Sequence, residues 1–150
     1  MIIFAVKPWL MKLVVKELKL KGTQILISVA AGIPFEELTH YAADKEMTMF
    51  RLIPNTAISE MESMTLIASR NASKEQEQLL LDIFNQMGLA MLIPEDKIAA
   101  TTAMTSCGIA YVLKYIQAAM QAGIEWVSTP RRHAHGGTYR EGSSRADSEQ

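Results

Sequence analysis

The sequence is poor in cysteine and has no excess of either charge. Its single cysteine, Cys107, cannot form a disulfide within the chain and has no second cysteine with which to bind a structural metal. With 15 basic and 16 acidic side chains, the formal net charge is −1, which gives no electrostatic attraction to nucleic acid. Disulfide-bonded, zinc-binding and nucleic-acid-binding proteins are therefore disfavoured.

Long apolar runs and targeting signals are also missing. The apolar start, MIIFAV, is too short to cross a bilayer, and it lacks the basic region and the small-residue cleavage site of a secretory signal. We therefore predict a cytoplasmic protein, with neither a membrane nor a nucleic acid as partner.

Short apolar segments alternate with amphipathic segments over the first 93 residues. Helices are predicted after Pro8, after Pro34 and between Ser73 and Gly88, where Ser73 and Gln76 form a capping box. This alternation indicates an α/β protein with a mostly parallel sheet, helices on both faces, and ligands at the carboxyl ends of the strands. The predicted strands are residues 2–6, 24–29, 47–53, 64–69 and 89–93.

The pattern changes after Pro94. Residues 95–104 and 108–123 have helical character with no further strand, which predicts the start of a helical region. Residues 128–150 contain no Ile, Leu, Val, Phe or Met, so they cannot build a core and are predicted to be disordered. His133 and His135 in this tail are predicted to be solvated rather than bound to a metal.

Four short motifs occur in series along the chain. AVKP at 5–8 follows the first predicted strand, SVAAG at 28–32 follows the second, and PNT at 54–56 follows the third. TAMTSCGIAYV at 102–112 opens a helix. In order and spacing these motifs resemble the pyrroline-5-carboxylate reductase family, from residue 2 to about residue 125. The resemblance implies a partial Rossmann-type parallel sheet followed by the start of an all-helical domain.

The resemblance also implies a division of the chain. Residues 1–93 correspond to the C-terminal part of an NAD(P)-binding Rossmann domain, and residues 94–127 to the start of a helical domain for dimerisation and substrate binding. The family's Gly-rich phosphate-binding turn, G-x-G-x-x-G, does not occur in the 150 residues, so we expect an inactive internal fragment of a longer enzyme. The tail at 128–150 is interpreted either as an out-of-frame product or as a genuine, unrelated tail.

The family's reaction is a hydride transfer. A hydride passes from NADPH, with NADH as the alternative donor, to the C=N carbon of 1-pyrroline-5-carboxylate and gives L-proline in the last step of proline biosynthesis. Because the cofactor supplies the hydride, the protein has to align two rings and hold a carboxylate rather than provide a nucleophile. The resemblance therefore assigns no catalytic nucleophile and no metal, and a homo-oligomer is expected of the full-length family.

Cofactor contacts are implied in the turns after the first three strands, and substrate contacts near the second helical region. The implied cofactor-binding residues are Ala5, Val6, Lys7, Pro8, Val29, Ala30, Ala31 and Asn55. The implied substrate-binding residues are Glu95, Thr105, Ser106 and Cys107. Glu95 is predicted to accept a hydrogen bond from the protonated imine. The family has Ser-Gly-Ser-Gly at 105–108 followed by proline, so Ser106, Cys107 and Ile109 depart from its pattern.

Each assignment has an ordinary structural alternative. Lys7 fits a solvated helix start and Asn55 a turn, while Glu95 fits a partner of a helix dipole and Cys107 a small packing residue. For the whole chain, one alternative is another Rossmann-type NAD(P)-dependent dehydrogenase of the β-hydroxyacid type, for which Lys114 is the candidate helix lysine. The other alternative is a non-catalytic remnant.

Overall fold

A five-stranded sheet forms the centre of the fold. The computed structural model describes residues 1–18 and 20–128, so the predicted disordered tail at 128–150, with His133 and His135, lies almost entirely outside the described residues. The strands are β1 (Ile2–Phe4), β2 (Leu26–Ser28), β3 (Met49–Ile53), β4 (Ser63–Arg70) and β5 (Gly88–Leu92), in the spatial order β1-β2-β3-β4-β5. The five predicted strands are thereby confirmed.

Five α-helices accompany the sheet, and the alternation of strands and helices follows the predicted order. They are α1 (Pro8–Glu17), α2 (Phe35–Ala42), α3 (Lys74–Phe84), α4 (Ile98–Thr105) and α5 (Cys107–Ser128). Short 3-10 helices cover Thr56–Glu60, Asn85–Met87 and Glu95–Lys97. The capping box of α3 is present, since Ser73 Oγ accepts from the Gln76 N–H at 3.3 Å and Gln76 Oε1 accepts from the Ser73 N–H at 2.8 Å. No described helix is long and apolar enough to cross a membrane.

The sheet is mostly parallel, as predicted, with one reversal of direction. β1, β2 and β3 are parallel to one another, and β5 is parallel to β4, but β4 runs antiparallel to β3. Only residues 54–62 connect β3 to β4, whereas a crossover between parallel strands needs about a dozen residues or more. The short connection therefore forces β4 to return antiparallel beside β3.

Helices cover both faces of β3, which explains why all five of its residues are buried. Met49, Arg51 and Ile53 point to one face and Phe50 and Leu52 to the other, because side chains alternate along a strand. The first face packs against α1, α2 and α4, through Met11, Val15, Phe35, Leu38 and Ile98. The second face packs against α3, through Leu80, Ile83 and Phe84. The predicted two-sided arrangement of helices is confirmed.

The chain divides into two compact units, Met1–Lys114 and a unit that begins at Tyr115. The first unit contains the sheet, α1 to α4 and the start of α5. The described part of the second unit is helical, and many of its large apolar side chains are exposed. They are Tyr115, Ile116, Met120, Ile124, Trp126 and Val127. The domain boundary predicted at residue 93 stays a prediction.

Gly88, at the start of β5, generates a prediction about stability. Its φ is +130°, and a Cβ there would lie 2.2 Å from the Ser63 carbonyl oxygen and 2.3 Å from the Ser63 nitrogen. We expect Gly88→Ala to lower the free energy of unfolding by roughly 3 kcal/mol or more, because backbone strain and a backbone clash add. Urea unfolding measures the change.

Gly32 provides the matched control for this substitution. Its φ is also positive, at +79°, but nothing lies within 4 Å of the position of a Cβ. Gly32→Ala should therefore cost only the backbone strain, about 1–2 kcal/mol. Equal losses for the two variants would show that the close approach of Gly88 to Ser63 is not a stability determinant.

Candidate active site

The loops after β1, β2 and β3 lie at one edge of the sheet, because these strands are parallel. The Val29 N–H donates to the Phe4 carbonyl oxygen at 3.2 Å, which joins the first two loops. Ser28 Oγ accepts from the Ala30 N–H at 3.2 Å and shapes the second loop. The residues predicted to bind the cofactor therefore share this edge, namely Ala5, Val6, Lys7, Pro8, Val29, Ala30, Ala31 and Asn55.

Small side chains keep the backbone of this edge accessible. Ala5 and Ala31 are exposed, and the space where a Cβ would stand on Gly32 is open. Lys7 is exposed at the N-cap position of α1, and Pro8 is the first helical residue, where its missing N–H costs nothing. A flat ligand could approach the backbone here without displacing a bulky side chain.

Asn55 is buried at the carboxyl end of β3 and connects three segments. Its side-chain oxygen accepts from the Ala57 N–H at 3.0 Å and starts the 3-10 helix Thr56–Glu60. Its side-chain nitrogen donates to the Thr105 carbonyl oxygen at 3.0 Å, and its backbone N–H donates to Ser63 Oγ at 3.2 Å. The structure thus joins a predicted cofactor-side residue directly to a predicted substrate-side residue.

Glu95 uses one carboxylate oxygen both to cap a helix and to form an ion pair. Its Oε1 accepts from the Phe35 N–H at 2.7 Å and from Arg51 Nη1 at 2.8 Å. Phe35 is the first residue of α2, and the preceding Pro34 has no side-chain acceptor for this N–H. The carboxylate therefore fills a capping position that the local sequence leaves open, and its Oε2 accepts no hydrogen bond from the described residues.

Arg51 is the charged side chain inside this part of the core. Its side chain is 8% exposed, against 35% for that of Glu95. In the sheet register it stands between Ser28 on β2 and Ala68 on β4, whose short side chains leave room for the guanidinium stem. Its Nε is buried without a hydrogen-bond partner among the described residues.

A cleft of about 350 Å³ opens beside the ion pair. Its walls come from the loop at residues 31–34, from β3 and from α4, and its polar lining includes Arg51, Glu95 and Thr102. The Thr102 hydroxyl is buried and, like Arg51 Nε, has no hydrogen-bond partner among the described residues. In the part of the chain that the structure describes, no cluster of His, Cys, Asp or Glu could hold a metal ion.

The predicted substrate-side residues Thr105, Ser106 and Cys107 form the junction of α4 and α5. Thr105 Oγ1 donates to the Thr101 carbonyl oxygen at 3.1 Å, and the Ser106 N–H donates to the Thr102 carbonyl oxygen at 2.9 Å. The Ser106 hydroxyl is buried without a described partner, whereas Cys107 is exposed. The alternative interpretation of Cys107 as a small packing residue stays a prediction, and the described residues do not bury it.

Comparison with known proteins identifies relatives of the chain. No family model matches the chain. The chain is 33% identical over 113 residues to pyrroline-5-carboxylate reductase 1 of Dictyostelium discoideum, and the alignment covers 67% of this chain and 20% of that relative. It is 34% identical over 121 residues to pyrroline-5-carboxylate reductase of Methanosarcina acetivorans, over 78% of this chain and 44% of the relative. Over two thirds or more of its own length, the chain is thus similar to pyrroline-5-carboxylate reductases.

A solved structure agrees with this similarity to pyrroline-5-carboxylate reductases. The crystal structure of Plasmodium falciparum pyrroline carboxylate reductase with NADP bound superposes with a TM-score of 0.78 at 27% identity, over 85% of this chain and 52% of that one. The chain thus spans about half the length of this reductase and less than half of the two curated relatives. These comparisons confirm the resemblance drawn from the four motifs and support it over the β-hydroxyacid alternative.

Sequence reasoning missed Arg51, which forms the ion pair of this candidate site. The signal was present, because Arg51 is the charged residue in the mostly apolar segment MTMFRLI. A charged side chain in a buried strand requires a partner of opposite charge. Nothing in the local pattern identified Glu95, 44 residues further along the chain, as that partner.

Asn55 generates a prediction about the attachment of α4 to the sheet. Asn55→Asp keeps an oxygen for the Ala57 N–H but places a carboxylate against the Thr105 carbonyl oxygen, where Asn55 donates now. We expect the free energy of unfolding to fall by about 1–3 kcal/mol at neutral pH. The loss should shrink as the pH falls through the raised pKa of the buried carboxyl group, because its protonated form can donate again.

Urea unfolding at neutral and acidic pH measures the stability loss of Asn55→Asp, with Asn85→Asp as control. The side-chain oxygen of Asn85 accepts from the Ala90 N–H at 2.8 Å, and a carboxylate preserves that bond. The control should lose no more than about 1 kcal/mol at neutral pH, because its carboxylate stands at the C-terminal end of α3. An Asn55→Asp loss that does not depend on pH would contradict the donated hydrogen bond to Thr105.

Proposed function

We propose that the protein carrying this chain reduces 1-pyrroline-5-carboxylate to L-proline, with NADPH as hydride donor and NADH as the alternative. One observation carries the proposal: the three loops that hold the family motifs share a sheet edge, and Asn55 ties that edge to the start of the helical region. The Plasmodium falciparum relative, solved with NADP bound, supports the choice of cofactor.

The cofactor side would use the backbone more than the side chains. Ala5, Ala30 and Ala31 are small enough to let a nicotinamide ring and its ribose approach the loops after β1 and β2. Val6, Lys7, Pro8 and Val29 would complete this wall. The side chain of Asn55 is occupied by Ala57 and Thr105, so we propose that it shapes the wall next to the ring.

The substrate side would hold the ionic groups of the imino acid. Glu95 Oε1 is occupied by Arg51 and Phe35, which leaves Oε2 to accept from the protonated imine N–H. This charge-assisted bond would keep the imine in the form that accepts a hydride. The hydroxyl of Ser106 and the exposed start of α5 at Cys107, beside Thr105, would contact the substrate carboxylate.

The bound nicotinamide supplies the hydride, so the chain needs neither nucleophile nor metal for this step. Its residues orient the imine carbon toward the nicotinamide ring and stabilise the positive charge on the imine nitrogen. We also propose a cytoplasmic location and a homo-oligomer. The exposed apolar side chains of α5 support the homo-oligomer.

Nicotinamide mononucleotide tests the cofactor side, because it carries the nicotinamide and its ribose but lacks the adenosine half and one of the two phosphates that a Gly-rich turn would hold. We expect weak, saturable binding by this chain, with NMR amide shifts at residues 5–7, at 29–31 and at Asn55. Adenosine monophosphate should not shift these signals. Ala31→Leu should abolish binding by filling the approach, whereas Ala119→Leu on the exposed part of α5 should not. Shifts confined to other residues would support a non-catalytic remnant.

A chimera tests the substrate side. Here the chain replaces the matched segment of the Methanosarcina acetivorans reductase, and NADPH oxidation is followed with pyrroline-5-carboxylate. Glu95→Gln should lower kcat/KM about ten- to a hundredfold, because one charge-assisted hydrogen bond is worth about 1.5–3 kcal/mol. Nucleotide affinity should fall much less than kcat/KM, since glutamine keeps an oxygen for the Phe35 N–H and for Arg51 Nη1.

The neighbouring Asp96→Asn serves as the control for charge. Asp96 is exposed and pairs only with the exposed Lys97 among the described residues, so its loss should leave turnover unchanged. If Glu95→Gln and Asp96→Asn have equal kcat/KM, Glu95 is a structural partner of Arg51 and α2 and does not bind the imine.

A further inference from the structure

We infer that Arg51 is a positioning residue, which fixes the cofactor-side loop at 29–34 and helix α4 relative to each other by holding Glu95. The inference rests on the proposed function for its consequence in ligand binding. It assigns a role to a residue that belongs to none of the four family motifs, and that role is exerted through Glu95 rather than by contact with a ligand.

First, Arg51 and the start of α2 share one oxygen of Glu95. Arg51 Nη1 and the Phe35 N–H both donate to Oε1, at 2.8 and 2.7 Å, so the carboxylate ties β3 to the start of α2. The loop that carries Ala31 ends at α2. A displacement of Glu95 would therefore release the end of this loop as well as the segment that leads into α4.

The second step is the geometry of the attachment. β3 holds the α4 segment at two points, since Arg51 binds Glu95 and Asn55 binds Thr105. Four residues of strand span about 13 Å at about 3.3 Å per residue. From Glu95 to Thr105 the chain runs through the 3-10 helix Glu95–Lys97 and α4, which together span about 16 Å at about 2.0 and 1.5 Å per residue. The two lengths are similar, so both attachments can form at once.

The third step is the asymmetry of burial within the pair. The Arg51 side chain is 8% exposed, so its charge depends on Glu95 for compensation, whereas the 35% exposed Glu95 can be hydrated. Without Arg51, the carboxylate would gain water and move outward. The Phe35 N–H would then lose its acceptor, which makes that amide a direct reporter of the inferred role.

The experiment compares Arg51→Met with wild type by amide hydrogen exchange and by titration with nicotinamide mononucleotide. Methionine preserves the apolar stem but removes the charge. We expect the Phe35 amide to exchange about tenfold faster, as for the loss of about 1.4 kcal/mol of local protection, and the dissociation constant for the nucleotide to rise about tenfold.

Leu52 provides the control for general destabilisation. It lies next to Arg51 on β3, but its side chain is buried on the opposite face, against α3. The free energies of unfolding of Leu52→Val and Leu52→Ala should lie on either side of that of Arg51→Met. In both Leu52 variants, nucleotide binding and the exchange of the Phe35 amide relative to global unfolding should be unchanged. If the Leu52 variants change Phe35 exchange as much as Arg51→Met does, the positioning role is overturned.

Arg51→Lys is the conservative variant, and it covers the case in which Arg51→Met does not fold. It retains a cation beside Glu95, so the protection of the Phe35 amide against exchange should lie between that of wild type and that of Arg51→Met. If Arg51→Met is unfolded, the Phe35 amide of Arg51→Lys should be much better protected than that of Glu95→Leu. If the Phe35 amide of Arg51→Lys is not protected in this way, the ion pair with Glu95 is not the basis of the role of Arg51. If the wild-type chain does not bind the nucleotide, the proposed function fails, and Phe35 exchange still decides the role of Arg51.

Discussion

The buried ion pair between Arg51 and Glu95 is the constraint on which the site depends. A guanidinium group inside a core is tolerated only when a carboxylate compensates its charge. Here the carboxylate arrives from residue 95, past two more strands and a helix, and it also accepts the first N–H of α2. One oxygen atom thus connects β3, the start of α2 and the segment that leads into α4.

The sheet could be predicted from sequence because its signals are local. Buried strands such as Leu26–Ser28 and Met49–Ile53 are continuous apolar runs apart from one polar or charged residue each, and the capping box at Ser73 marks a helix start by itself. The loops after β1, β2 and β3 could be assigned to one edge by the same reasoning, since parallel strands end on the same side. The family motifs then gave these loops their expected chemistry.

Other features depend on distant contacts that no local pattern records. The reversal at β4 follows from the short link at 54–62, whose length is visible only once the strand ends are known. The pairing of Arg51 with Glu95 and of Asn55 with Thr105 depends on how α4 packs against β3. The exposure of Cys107 likewise follows from its position at the start of α5.

The capping of α2 by Glu95 has an electrostatic consequence for selectivity. A helix N-terminus carries partial positive charge and commonly attracts phosphate groups. At α2 this attraction is already satisfied by the chain's own carboxylate, fixed 2.7 Å from the Phe35 nitrogen. A phosphate group therefore meets less positive charge at the N-terminus of α2 than it would at an uncapped helix.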